Sequence, residues 1–137
     1  MATIDITRLK NNQEKRSIGI SVARFTSDQA TGALADNYVL FKLPAECVVI
    51  HALINVITAS QATVTASVGF SGGTELLSAQ ALSAVAVKDS GAKALVTGTG
   101  KDLTIKFGTA IPTAGEFEVI ITYYEPLMGT GFLTSTN

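Results

Sequence analysis

The feature that most constrains this chain is a recurrent alternation of apolar and polar residues at a period of two. That period places every second side chain on one face of an extended strand. It is clearest in residues 101–107, where Leu103, Ile105 and Phe107 share one face and Asp102, Thr104 and Lys106 share the other. Residues 62–70 repeat it with Val64, Ala66, Val68 and Phe70, and Ser71-Gly72-Gly73 then supplies a turn. Glu116–Tyr124 is entered through Ile111-Pro112-Thr113-Ala114-Gly115 and offers Phe117, Val119, Ile121 and Tyr123 as a core face. In residues 17–25, Ile18, Ile20 and Val22 alternate with small or polar residues, and Asn37–Leu43 is a short aromatic and aliphatic run ending at Pro44. Val48–Thr58 reads as a central strand, with Val48, Ile50, Ala52, Ile54 and Val56 expected on one face and Val49, His51, Leu53, Asn55 and Ile57 on the other.

Residues 74–87 fit two patterns. Leu76, Leu77, Gln80, Ala81 and Ala84 suit one short helix, whereas residues 82–87 suit a strand. Residues 92–97 form a weaker strand, closed by Gly98-Thr99-Gly100. The count comes to seven or eight strands at turn-punctuated spacing, which predicts an all-β, antiparallel β-sandwich of jelly-roll-like form. The composition agrees: 47% of residues are hydrophobic and 15% charged, small and β-branched types dominate, and Trp is absent. A chain of 137 residues suits one domain, here expected over residues 17–126. An extended N-terminal arm is expected at residues 1–16 and a C-terminal tail at residues 127–137.

Charge and residue types narrow the chemistry. A formal net charge of −1 produces no field that would gather nucleic acid or an anionic membrane, so neither is expected as a partner. The longest apolar run, residues 48–57, is broken by His51 and Asn55, so no membrane span is expected. Cys47 is the one cysteine, which rules out an intrachain disulfide and a thiolate metal cluster. His51 is the one histidine, so a metal site or His-based triad would need all its other members from elsewhere, and a strand-face or interface role is expected.

Glu116 and Glu118 lie about 7 Å apart along a strand, within the range of an inverting glycosidase pair. Alternation with core positions makes them the ordinary solvent face instead. Gly98-Thr99-Gly100-Lys101 lacks the upstream glycine of a phosphate loop, where Leu95 stands, and Asp102 follows the lysine. Tyr38, Tyr123 and Tyr124 are the residues from which a sugar-stacking platform would be built. No catalytic residue, metal ligand, cofactor or small-molecule substrate is expected.

Two features point instead to binding of protein surfaces. Leu53, Ile57, Ile120 and Tyr124 fall on the second face of the two strongest strands, where apolar residues would mark a contact surface. Residues 1–16 carry Arg8, Lys10, Lys15 and Arg16 against Asp5 and Glu14, so the remainder of the chain carries −3. This basic end is expected to act as an arm directed at acidic patches.

The segments Tyr38-Val39-Leu40-Phe41-Lys42-Leu43-Pro44-Ala45, Val48-Val49-Ile50 and Gly115-Glu116-Phe117-Glu118-Val119-Ile120-Ile121-Thr122-Tyr123-Tyr124 resemble the jelly-roll cement or decoration proteins of tailed-bacteriophage heads. The likeness spans residues 37–125. Glu46 stands where such proteins often have glycine, so the turn after Ala45 departs from the pattern. The resemblance implies a non-enzymatic virion subunit, made in the host cytoplasm, that sits on the outer capsid surface and bridges major capsid protein subunits. A homodimer is the expected form, with a trimer as the second option. A carbohydrate-binding β-sandwich module of a phage fibre or host-surface protein is the alternative from a different class.

Overall fold

The computed structural model describes residues 18–125. The expected arm at residues 1–16 and tail at residues 127–137 therefore lie outside the described residues. Nine strands are present among the described residues: β1 (Ile18–Thr26), β2 (Asn37–Leu43), β3 (Val48–Thr58), β4 (Thr65–Phe70), β5 (Leu77–Ala81), β6 (Val87–Asp89), β7 (Leu95–Val96), β8 (Lys101–Gly108) and β9 (Glu116–Tyr124). The expected count of seven or eight is exceeded because two short strands, β5 and β6, stand in place of the one expected at residues 82–87, while β7 falls within the weaker strand expected at residues 92–97. No helix forms over residues 74–87, and the strand expected at residues 82–87 is displaced: the ladders fall on either side, in β5 and β6. Leu82 is instead a buried loop residue whose backbone N–H donates to the Val64 carbonyl at 3.0 Å.

The pairings are nested and antiparallel. β1 joins β9, β2 joins β8, β3 joins β6 and β7, and β4 joins β5. They describe one long antiparallel ribbon with its bend between β4 and β5. Rolling that ribbon brings β3 beside β9 and β4 beside β8. Two sheets result, one ordered β1-β9-β3-β6 with β7 also on β3, the other ordered β2-β8-β4-β5. This is jelly-roll winding, with β6 and β7 together filling one strand position.

The core lies between the sheets. Ala52, Ile54, Val56, Phe117, Val119 and Ile121 from the first sheet meet Ala66, Val68, Leu103, Ile105 and Phe107 from the second, all buried. Burying each of the larger side chains contributes about 1.5–3 kcal/mol. Phe25, Tyr38, Phe107 and Phe117 form an aromatic cluster across the two sheets, with ring centroids 5.3–5.9 Å apart.

In β3 and β1 the faces are not those a plain alternation of apolar and polar residues would give. In β3 the ladder to β9 pairs Val49 with Tyr123 and His51 with Thr122, leaving Ile50 as an extra residue. That bulge shifts the phase, so Val49 is fully buried while Val48 and Ile50 are only half-buried. The expected core set is thus corrected to Val49, Ala52, Ile54 and Val56. In β1 the bulky set faces outward: Ile18, Ile20 and Val22 are 60%, 67% and 53% exposed. In the opposite set, Gly19, Ser21 and Ala23, the first two lie against the Tyr123 ring, which leaves no room for a larger side chain at Gly19. A Cβ on Gly19 would stand 2.7 Å from the Tyr123 ring, and the Ser21 and Tyr123 hydroxyls meet at 3.3 Å.

Candidate interaction surface

The outer face of the β1-β9-β3 sheet gathers apolar residues into cross-strand rows. In one row Ile18, Tyr124, Val48 and Val96 stand side by side on β1, β9, β3 and β7. In the next are Ile20, Thr122 and His51, and in the third Val22, Ile120 and Leu53, with Asp89 of β6 beyond. Neighbouring strands lie about 4.8 Å apart, so these side chains form one continuous surface and not isolated exposures. Two apolar rows, joined along β1 by Ile20, flank the polar residues Thr122 and His51, and such a cluster of apolar side chains on an outer sheet face marks a contact site.

The same face changes character toward its other end. Arg24, Glu118, Asn55 and Val87 share a row, followed by Thr26, Glu116 and Thr58. Arg24 Nε donates to Glu116 Oε1 at 2.5 Å, and Asn55 Nδ2 donates to Glu118 Oε1 at 3.0 Å. The two carboxylates are thus each engaged by a neighbour on an outer face, the solvent-face arrangement expected from their spacing. Glu116 holds the Arg24 guanidinium above its ordinary pKa through that hydrogen bond.

Of the four residues expected on this face, Leu53 and Ile120 are direct cross-strand partners, and Tyr124 lies on the same face two rows away. Ile57 is half-buried in a second bulge between Val56 and Thr58, at the charged end and apart from the other three. Arg8, Lys10, Lys15 and Arg16 lie outside the described residues. The sequence reading missed the contribution of β1. Its signal is present all the same, because Ile18, Ile20 and Val22 alternate with residues too small to need the outer side for themselves.

The candidate chemical residues are dispersed. His51 Nε2 meets Asp89 Oδ1 at 2.6 Å, and Asp89 Oδ1 also accepts the Gly91 N–H at 2.7 Å. The Gly91 N–H, followed by His51, holds the Asp89 carboxyl below its ordinary value. The adjacent Ser90 hydroxyl donates to the Gly91 carbonyl and accepts the Ala52 N–H, so its proton is not directed at His51. No group of three or more potential metal ligands occurs among the described residues. Gly98 and Gly100 have positive φ and form the turn ahead of β8, with the Gly100 N–H donating to the Thr97 carbonyl. The tyrosines fall in three settings. Tyr38 packs in the aromatic cluster and accepts the Gly32 N–H, Tyr123 covers Gly19, and Tyr124 stands on the outer face.

An open cleft of ≈ 750 Å³ lies between β1 and β2, lined by Val22, Arg24 and Phe25 on one side and Asn37, Tyr38 and Val39 on the other. Neither Glu116, Glu118 nor His51 lines it.

The fold and this face define a jelly-roll β-sandwich with an apolar outer sheet. No protein-family model and no curated protein sequence matches the chain. Among solved structures it is similar to a chain of the acidic stable capsid of Helicobacter pylori bacteriophage KHP30, with a TM-score of 0.66 and 20% identity over 85% of this chain and 95% of that one. It is similar to a chain of the cyanophage Pam1 capsid asymmetric unit, with a TM-score of 0.58 and 24% identity over 91% and 99%. A chain of the capsid of Ralstonia phage GP4 gives 0.61 and 18% over 86% and 91%. The chain therefore shares its fold with chains of three phage capsids, in keeping with the resemblance drawn from its strands.

Proposed function

We propose that this chain is a non-enzymatic structural subunit of a tailed-phage virion, a cement or decoration protein that binds the outer capsid surface and bridges major capsid protein subunits. The observation that carries the reading is the row of exposed Ile18, Ile20 and Val22 continuing into Ile120, Leu53 and Tyr124. It occurs on a fold shared with chains of phage capsids. A soluble sandwich gains nothing by exposing three β-branched residues on one strand unless a partner covers them. The outer face is the principal contact in this proposal, and Arg8, Lys10, Lys15 and Arg16 supply a salt-sensitive second one. A homodimer touching two capsomers would gain by effective concentration, so neither contact need be strong alone.

Gold-labelled antibody raised against the chain and applied to intact virions tests the location. Label on the outer head surface is expected, and label confined to disrupted particles contradicts the reading. Deleting residues 1–16 is expected to lower occupancy of purified heads, with the deficit shrinking as salt screens the basic contacts. Equal occupancy at all salt concentrations rejects the role of the arm.

A further inference from the structure

Four strands other than β1 stand at sheet margins among the described residues, and each is shortened or interrupted. β6 and β7 have three and two residues. β2 is bulged, since Val39 pairs with Thr104 and Phe41 with Leu103, leaving Leu40 over. β5 is broken by Ala79 at φ +48° and a shifted register against β4. These are the usual devices that stop an edge from recruiting another strand. β1 has none of them. Its nine residues run in unbroken register with β9, from Ile18 opposite Tyr124 to Thr26 opposite Glu116. It also carries no proline and borders the open cleft. In an antiparallel ladder only alternate residues of such a strand bond to its one neighbour, and the others present N–H and C=O groups outward.

We propose that residues 2–8 of this same chain occupy that edge, adding a tenth strand antiparallel to β1 in cis. Ala2-Thr3-Ile4-Asp5-Ile6-Thr7-Arg8 alternates at period two and is rich in β-branched residues. Setting Ile6 opposite Ile20 places Ile4 beside Val22 and Arg8 beside Ile18. The outer rows then run Ile4-Val22-Ile120-Leu53 and Ile6-Ile20-Thr122-His51. Thr3, Asp5 and Thr7 face the other way, toward the side that holds the cleft. A slip of one residue would reverse both faces, so the pattern itself selects the register. Residues 9–17, Leu-Lys-Asn-Asn-Gln-Glu-Lys-Arg-Ser, make the reversal, with Asn11-Asn12 as turn formers. Closing so short a loop costs little.

A second copy's β1 fits the edge less well. The antiparallel register that sets Ile18 against Val22 pairs only residues 18–22 of each copy, five of the nine in β1. Centring the pair on Val22 instead sets Arg24 against Ile20. The added strand widens the apolar face by one strand spacing and brings Arg8 to its apolar end. The proposal stands whether or not that face binds a capsid.

Residue-resolved amide hydrogen exchange on the full chain decides it. Both alternating sets of β1 amides between Gly19 and Arg24 are expected to exchange slowly, and to remain slow on dilution. In an Ile4→Asp/Ile6→Asp variant the outward set is expected to speed up by at least about tenfold, while the set bonded to β9 stays slow and shows the fold intact. Fast exchange of the outward set in the unaltered chain overturns the proposal. So does protection that disappears on dilution, which would assign the edge to a strand from a second copy.

Discussion

Thr97 shows how much one buried hydroxyl can hold. Its Oγ1 donates to the Pro44 carbonyl at 2.7 Å and accepts the Cys47 N–H at 3.0 Å, fastening the turn before β3 to β7. Thr97→Val keeps the volume but strips that donor and that acceptor in a buried setting, so a loss of about 1–3 kcal/mol is expected in urea unfolding. An unchanged midpoint would show that the turn is held by other contacts. Asp89 gives a pH-dependent case. Its carboxyl is held below its ordinary 3.8, first by the Gly91 N–H and then by His51. Its stabilising contribution is therefore complete above the unfolded value and is lost as pH falls through the lowered one. Thermal melts of Asp89→Asn and the parent should differ near neutrality and converge in strong acid, whereas a constant difference across the acid range would contradict this coupling. The Thr97 contact could not be read from sequence, because Pro44 lies fifty-three residues away, nor could the His51 contact of Asp89 across thirty-eight; only the Asp89–Gly91 hydrogen bond is local.

At the level of the strand, the alternation of residues 101–107 and Glu116–Tyr124 assigned most of their core faces: Leu103, Ile105, Phe107, Phe117, Val119 and Ile121 are buried as expected, whereas Tyr123 is only half-buried and Thr104, on the expected polar face, is buried where its hydroxyl meets the Gly72 N–H. β3 was legible in extent but not in phase. Val48–Thr58 is apolar on both faces, so its pattern contains no mark of the extra residue at Ile50. The bulge makes a discriminating prediction. Val49→Ala should cost about 2 kcal/mol or more through a core cavity, while Val48→Ala should cost about 0.5 kcal/mol or less. Equal or reversed costs in denaturant unfolding would restore the regular phase. β1 is the complementary case, in which the alternation is plain but its sense is inverted. At Gly19 the inner side has no room for a larger side chain, because Tyr123 fills the space over it. Gly19→Val should therefore displace that ring and destabilise by about 1–3 kcal/mol.

Over the whole molecule, the all-β class and the sandwich were legible because period two, turn residues and strand count agree with one another. The winding was not, since β1 beside β9 and β3 beside β9 are pairings between distant parts of the chain that no local pattern encodes. The candidate surface is a product of that winding: Leu53 and Ile120 were separately legible as second-face residues, but only the register of β3 on β9 makes them neighbours. The direct test of the account is occupancy of phage heads by a Leu53→Asp/Ile120→Asp double variant, measured by co-sedimentation with heads depleted of the chain. Both side chains lie on the outer face and are only half-buried, so the variant should still melt cooperatively. The account predicts that such a folded variant fails to load onto heads that the parent chain saturates; loading equal to the parent would contradict it.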